Sequence, residues 1–229
     1  MAQSHGIKPI ITDGLIFYVD AKNTKCYSGS GTTVTDLASA NTGTLTNGPT
    51  FNSNGYWDFD GSNDYLDTGF EPTNANSQNG YAWGYWFYFD DIGTRGLNGF
   101  RSGNAGRIYA GHIDSGNFFV GCGDKYNTNL TGSTAISIEN WFYIVNTYNG
   151  DGTAYFYINA DLKGTLTGIT FSIDGSDGNL VLGQLNNNGT IVSGYPANGK
   201  SGLAHFYNKY LTASEVSQNF NAQRSRFGV

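Results

Sequence analysis

Residues 81–89 read Tyr-Ala-Trp-Gly-Tyr-Trp-Phe-Tyr-Phe, and the spacing of their rings decides the fold. In an extended chain, successive side chains point to opposite faces. Tyr81, Trp83, Tyr85, Phe87 and Phe89 therefore share one face of a strand. Working outward, similar short runs recur at Gly14 to Asp20, Arg107 to His112, Asn117 to Gly121, Leu180 to Leu182 and Leu203 to Tyr207. Trp141 to Tyr148 and Ala154 to Ile158 flank Asn149-Gly150-Asp151-Gly152, which predicts a hairpin. Tyr56 to Asp67 reads as two strands around an Asp60-Gly61 turn. Asn-Gly and Asp-Gly pairs punctuate the whole chain, and each tolerates the positive φ of a tight turn. Many short strands between turn signals predict an all-β, antiparallel two-sheet jelly-roll sandwich.

Composition agrees. The 229 residues include 33 Gly and 35 aromatic residues, and only 13% are charged. That is about half the usual charged share, which excludes a helical bundle or coiled coil. So many rings exclude a disordered chain. A net charge of −6 without a basic run argues against nucleic acid as a partner. No apolar run reaches the length of a membrane-spanning helix, so no membrane insertion is expected.

One helix is expected, over about Ala213 to Arg224. Thr212 and Glu215 are spaced for a capping box, and Leu211 and Val216 for the hydrophobic staple across it. Residues 1–12 read as an N-terminal arm able to dock on a neighbouring subunit, and residues 13–229 as one sandwich domain. The start at Met1 lacks the apolar stretch of a secretory signal, so synthesis in a cytoplasm is expected. Cys26 and Cys122 are too few for a disulfide framework; free thiols are expected, with a single bridge as the alternative.

Several blocks in order resemble the laminin-G-like branch of the concanavalin A-like lectin/glucanase superfamily. They are Gly14-Leu15-Ile16-Phe17-Tyr18-Val19-Asp20-Ala21, Phe59-Asp60-Gly61-Ser62-Asn63-Asp64-Tyr65-Leu66, the Trp141-Phe142-Tyr143 and Tyr155-Phe156-Tyr157 hairpin, and Phe206 to Ala222 at the close. The resemblance covers about Asp13 to Val229. It implies a concanavalin A-like sandwich with a short C-terminal helix. The same block set is similar to modules of tailed-bacteriophage virion proteins. That likeness implies a place on the virion surface, as a capsid decoration or a tail or fibre subunit. Other virion proteins and further copies of the chain would then be its partners.

The chemistry can be read from the polar residues. Glycoside hydrolysis usually needs two facing carboxylates. The three Glu, at 71, 139 and 215, sit in no such motif, and Glu215 is explained by the helix cap. His5, His112 and His205 show no triad pattern, and there is no Gly-x-Ser-x-Gly elbow. The 15 Asp lie largely in turns, so the expectation is a protein that is not an enzyme. Calcium is the cofactor to consider, because Asp58, Asp60, Asn63 and Asp64 form the densest oxygen cluster and Asp174 with Asp177 a second. The competing explanation for both is turn geometry. Laminin-G-like relatives often hold a rim calcium, but its ligands do not map onto this chain. Sugar sites use an aromatic face beside polar groups, and Tyr27, Tyr126 and Tyr195 are the loop rings that could supply it. The Trp residues lie in strand runs and are expected in the core. Carbohydrate binding is accordingly the alternative to a purely structural role.

Overall fold

In the computed structural model, residues 8–92, 96–113, 117–127, 136–173 and 178–229 are described. The N-terminal part gives β1 (Leu15–Asp20), β2 (Thr33–Thr35), β3 (Thr42–Thr46), β4 (Thr50–Asn52), β5 (Tyr56–Asp60) and β6 (Tyr65–Asp67). A one-turn helix, α1 (Asn74–Ser77), precedes β7 (Tyr81–Phe89), β8 (Gly96–Ser102), β9 (Gly106–Ile113), β10 (Asn117–Gly123) and β11 (Lys125–Asn127). Then come β12 (Trp141–Tyr148), β13 (Thr153–Ile158), β14 (Asp161–Thr167), β15 (Val181–Leu182), β16 (Leu185–Asn187), β17 (Thr190–Ile191) and β18 (Asn198–Tyr207). The chain closes on α2 (Ala213–Phe227).

The strands form three sheets. An eight-stranded sheet runs β14-β13-β12-β7-β18-β5-β4, with β1 also on β18; a six-stranded sheet runs β11-β10-β9-β8-β16-β17; a four-stranded sheet runs β15-β6-β3-β2. The jelly-roll-type sandwich expected from the turn spacing is present. The 141–158 hairpin forms as read, with Tyr148 opposite Ala154. The two strands in Tyr56 to Asp67 also form, but they do not pair. β5 joins the eight-stranded sheet and β6 the four-stranded one, so the Asp60-Gly61 turn carries the chain between sheets.

β7 is buried on both faces. Tyr81, Trp83, Tyr85, Phe87 and Phe89 point into the main core, where they meet Phe100, Ile108, Ala110, Phe118 and Val120 from the six-stranded sheet. Ala82 and Trp86 point the other way, into a second core with Tyr143, Leu203 and Tyr207. Helix α2 covers that second core. The Phe227 ring stacks on Trp86 with centroids 4.2 Å apart, and the Trp86 indole N–H donates to Gln223 Oε1 at 2.8 Å. As the sequence implied, Thr212 Oγ1 accepts from the Glu215 N–H, Glu215 Oε2 accepts from the Thr212 N–H, and Leu211 and Val216 are buried. The helix runs three residues beyond the expected end, because Phe227 belongs to the buried stripe and Gly228 supplies a left-handed cap at φ 74.

Residues 8–12 belong to the arm read from the sequence, and they pack within the chain. They lie along α2: Gln218 donates to the Pro9 carbonyl, the Ile11 N–H donates to Asn219 Oδ1, and the Tyr207 hydroxyl donates to the Ile11 carbonyl. Residues 1–7, with His5, lie outside the described residues. Both cysteines are buried free thiols. Burial pushes Cys26 up to about 11 and Cys122 up to about 12, so both stay protonated and unreactive near neutrality.

His205 is fully buried on the α2 side of β18, where its Nε2 and the Tyr143 hydroxyl share a hydrogen bond of 2.9 Å. Its ring lies flat on Gly84, where a Cβ would come within 2.3 Å of the imidazole. Burial pushes the His205 pKa down to about 3, so the ring is neutral in the fold.

Two predictions follow from these contacts. Trp86→Ala should lower the unfolding free energy by about 3–5 kcal/mol, and Thr212→Ala by about 1 kcal/mol, both read by urea titration; comparable losses from the two would contradict the double burial of β7. An unfolded chain protonates His205 near pH 6.5, while the fold does not. Stability should therefore fall as pH drops below about 6.5, by up to about 1.4 kcal/mol per pH unit for this one group. His205→Gln should remove that share between about pH 6.5 and 5, whereas an unchanged slope would place the proton elsewhere.

Candidate functional site

The six-stranded sheet has one face in the main core and one outside it. Strand alternation decides which residues lie where. Phe100, Ile108, Ala110, Val120 and Cys122 point inward. Leu97, Arg101, Arg107, Tyr109 and Phe119 fall on the other parity, with Gly111 opposite Leu97 and Gly121 opposite Tyr109. The absent side chain at Gly121 makes room for Tyr109, since a Cβ there would come within 2.4 Å of the phenol ring. Tyr109 thus lies flat on the sheet and forms a small apolar cluster with Leu97 and Leu185, against which Phe119, Val192 and Tyr195 pack.

Around this cluster is a cleft of about 400 Å³. One side is built by the segment after β16. Its backbone is pinned by the Val192 N–H donating to the Leu185 carbonyl at 2.9 Å and the Tyr195 N–H donating to the Val192 carbonyl at 3.3 Å. Another side carries Tyr126, which is 56% exposed and meets the Phe119 ring edge-on at 5.8 Å. The Arg107 guanidinium lies 5.3 Å from the Tyr126 ring centre, within cation–π range. Arg107 Nη1 donates to the Gly123 carbonyl at 3.1 Å and also to the Asn104 carbonyl. Arg101 donates through Nε to the Gly103 carbonyl at 3.1 Å and reaches Asn104 Oδ1 at 3.4 Å. Burial pushes the Tyr109 phenol up to about 12 against the opposing pull of Arg107 and Arg101, so it remains a neutral donor. The Asn187 carboxamide oxygen is buried at the cleft with no hydrogen-bond partner among the described residues. Chemically, the cleft offers ring faces, amide and hydroxyl groups, and two fixed cations.

Of the three tyrosines singled out from sequence, Tyr126 and Tyr195 meet in this cleft. Tyr27 does not join them. It is 5% exposed, its hydroxyl donates to the Gly31 carbonyl at 2.8 Å, and its ring packs on Phe51 and Trp57 in the main core. Its loop setting in the sequence hid that role. Tyr109, Arg101 and Arg107 were not singled out. Their signal was the alternation Arg-Ile-Tyr-Ala at 107–110 beside glycines at 99, 111 and 121, which leaves one strand face polar.

Asp58, Asp60, Asn63 and Asp64 are engaged mainly in turn and cross-strand contacts. Asp60 Oδ1 accepts from the Ser62 N–H at 2.8 Å, which is a turn bond. Asp64 is buried and its Oδ2 accepts from the Asp60 N–H at 3.3 Å. The Asn63 carbonyl is taken by the Asn47 amide at 2.8 Å. Asp58 sits on β5 opposite Lys200. Burial raises the Asp58 and Asp64 carboxyls; the Lys200 charge opposes this at Asp58, while the Asp60 charge adds to it at Asp64. Among the described residues, no three His, Cys, Asp or Glu side chains converge on a common point. Asp174 and Asp177 lie outside the described residues. Glu215 is held by Thr212 and by Lys209 at 2.9 Å, as its capping role requires.

The chain is similar in structure to Trypanosoma rangeli sialidase, with a TM-score of 0.68 and 14% identity over 95% of this chain and 34% of that one. The same sialidase with 2,3-difluorosialic acid as a covalent intermediate gives a TM-score of 0.71 at 14% identity, with the same coverage. The binding domain of botulinum neurotoxin serotype D gives 0.64 at 16% identity, over 93% of this chain and 53% of that one. The chain thus spans about a third of the sialidase chains it resembles. Comparison with the curated proteins finds no match. The sialidases correct one expectation. The scarcity of Glu and the turn-bound Asp suggested a protein that is not an enzyme, yet the fold is shared with chains of enzymes. Identity this low shows the fold alone and transfers no catalytic residue. A laminin G family model matches residues 59–217, well over half the chain, and the protein therefore belongs to the concanavalin A-like lectin/glucanases superfamily.

Proposed function

We propose that the protein binds carbohydrate in the cleft on the outer face of the six-stranded sheet. The observation that carries this reading is the pairing there of an exposed ring, Tyr126, with Tyr195 and with the unpartnered oxygen of Asn187. A sugar presents an apolar ring face and a rim of hydroxyls. Aromatic faces suit the first, and a buried acceptor lacking a donor suits the second. The lectin-like superfamily and a structural neighbour described as a binding domain support the same reading.

A glycan array followed by calorimetric titration tests it. Tyr126→Ala and Tyr195→Ala should each weaken binding about tenfold or more, or about 1.4 kcal/mol. Tyr27→Phe should leave affinity unchanged. Silence across the array, or binding indifferent to Tyr126 and Tyr195, would overturn the assignment.

The setting we propose is the virion surface of a tailed phage, in the capsid or the tail, with other virion proteins and copies of the chain as partners. It is supported by the ordered sequence blocks from Gly14 to Ala222. Mass spectrometry of purified particles should find the chain in stoichiometric amount, and its absence from particles would contradict the setting.

A further inference from the structure

We infer that the saccharide taken by this cleft is anionic, carrying a carboxylate or sulfate that sits against Arg101 and Arg107. The inference rests on the carbohydrate-binding reading of the same cleft and goes further by naming the charge of the ligand. Arg101 and Arg107 stand directly opposite each other on β8 and β9. Like charges directly opposite in a sheet repel, and such a pair is destabilising unless something compensates it. Arg107 is only 7% exposed, and a charge that buried is ordinarily paired. Yet no carboxylate among the described residues forms an ion pair with either arginine. The hydrogen-bond acceptors around them include the carbonyls of Gly103, Asn104 and Gly123, the Asn104 side chain and the Tyr109 hydroxyl, all neutral. Asp124, close in sequence, is engaged by Lys125 at 2.5 Å and by the Thr170 N–H at 2.8 Å.

This arrangement is not a by-product of composition. The chain has 18 acids against 12 Lys and Arg and a net charge of −6, so two cations without an ion-pair partner among the described residues stand out against an acidic background. The guanidinium fork matches the oxygens of a carboxylate or sulfate, and can bind two at once. Neutral carbonyl partners fix the planes of the guanidinium groups without cancelling their charge. Tyr126 beside Arg107 then gives the sugar ring a platform next to its own anionic group. Neither feature alone selects an acidic sugar, but the two in one cleft do.

Matched probes separate this inference from the reading beneath it. Calorimetric titration would compare sialyllactose with lactose, oligogalacturonate with its methyl ester, and carrageenan oligosaccharides with their desulfated forms. At least one anionic probe should bind tenfold or more tighter than its neutral counterpart, and its affinity should fall as salt rises. The carboxylate and sulfate arms show which group is recognised. Arg101→Gln should erase most of that preference while leaving the melting temperature near wild type, and Arg101→Lys should restore only part of it. Arg107 is more deeply packed, so Arg101 is the informative position. Neutral and anionic probes binding equally, with loss on Tyr126→Ala, would overturn the inference and leave carbohydrate binding standing. No binding of either kind would overturn both.

Discussion

The fold depends on burying a single strand, β7, on both faces. Its odd positions put five rings between the eight-stranded and six-stranded sheets, and Trp86 projects oppositely beneath helix α2. Each large side chain so buried contributes roughly 1.5–3 kcal/mol, so this strand carries a large share of the apolar driving force. The requirement propagates in both directions. Inward, it demands a facing sheet, which β8, β9 and β10 provide with Phe100, Ile108, Phe118 and Val120. Outward, it demands a cover. The chain supplies one at its end: a capped helix whose last aromatic residue, Phe227, stacks on Trp86.

One face of the sandwich is consequently spent on structure. Helix α2 and residues 8–12 close the outer side of the eight-stranded sheet, and the polar groups there, His205, Tyr143, Tyr207 and Asn219, bond mainly to one another. The outer side of the six-stranded sheet is different. No helix among the described residues covers it, and its glycines let Tyr109 lie flat as a floor. The same fold that needs a helix on one side thus leaves a shallow polar and aromatic cleft on the other. Rigid strands position Arg101, Arg107 and Tyr109, and the connection after β16 adds Tyr195. Such a division, with scaffold on one face and side-chain variety on the other, explains how one superfamily can hold both lectins and enzymes.

Much of this could be read from sequence, and the limits have physical causes. The alternation in residues 81–89, the 141–158 hairpin and the Thr212–Glu215 cap are local signals, and each survives in the structure. Short strands such as β2, β3, β4 and β17 carry too few residues for a periodic signal and exist because a neighbour pairs with them. The Asp60-Gly61 turn was legible as a turn, but whether it joins partners or changes sheets is set by distant strands β18 and β3. The site followed the same rule. Tyr126 and Tyr195 stood out as loop rings, yet so did Tyr27, whose burial depends on packing against Phe51 and Trp57. The facing of Arg101 and Arg107 follows from the β8–β9 hairpin, whose first strand, rich in Gly and polar residues, gave no strand signal in the sequence.

The most direct measurement of the central claim, that the outer face of the six-stranded sheet is the binding face, is amide hydrogen exchange with and without a saturating acidic oligosaccharide. The account predicts slowed exchange in peptides spanning residues 97–127 and 185–195, with helix α2 unchanged. Protection confined to α2 and residues 8–12, or to the Tyr27 and Phe51 rim, would contradict it.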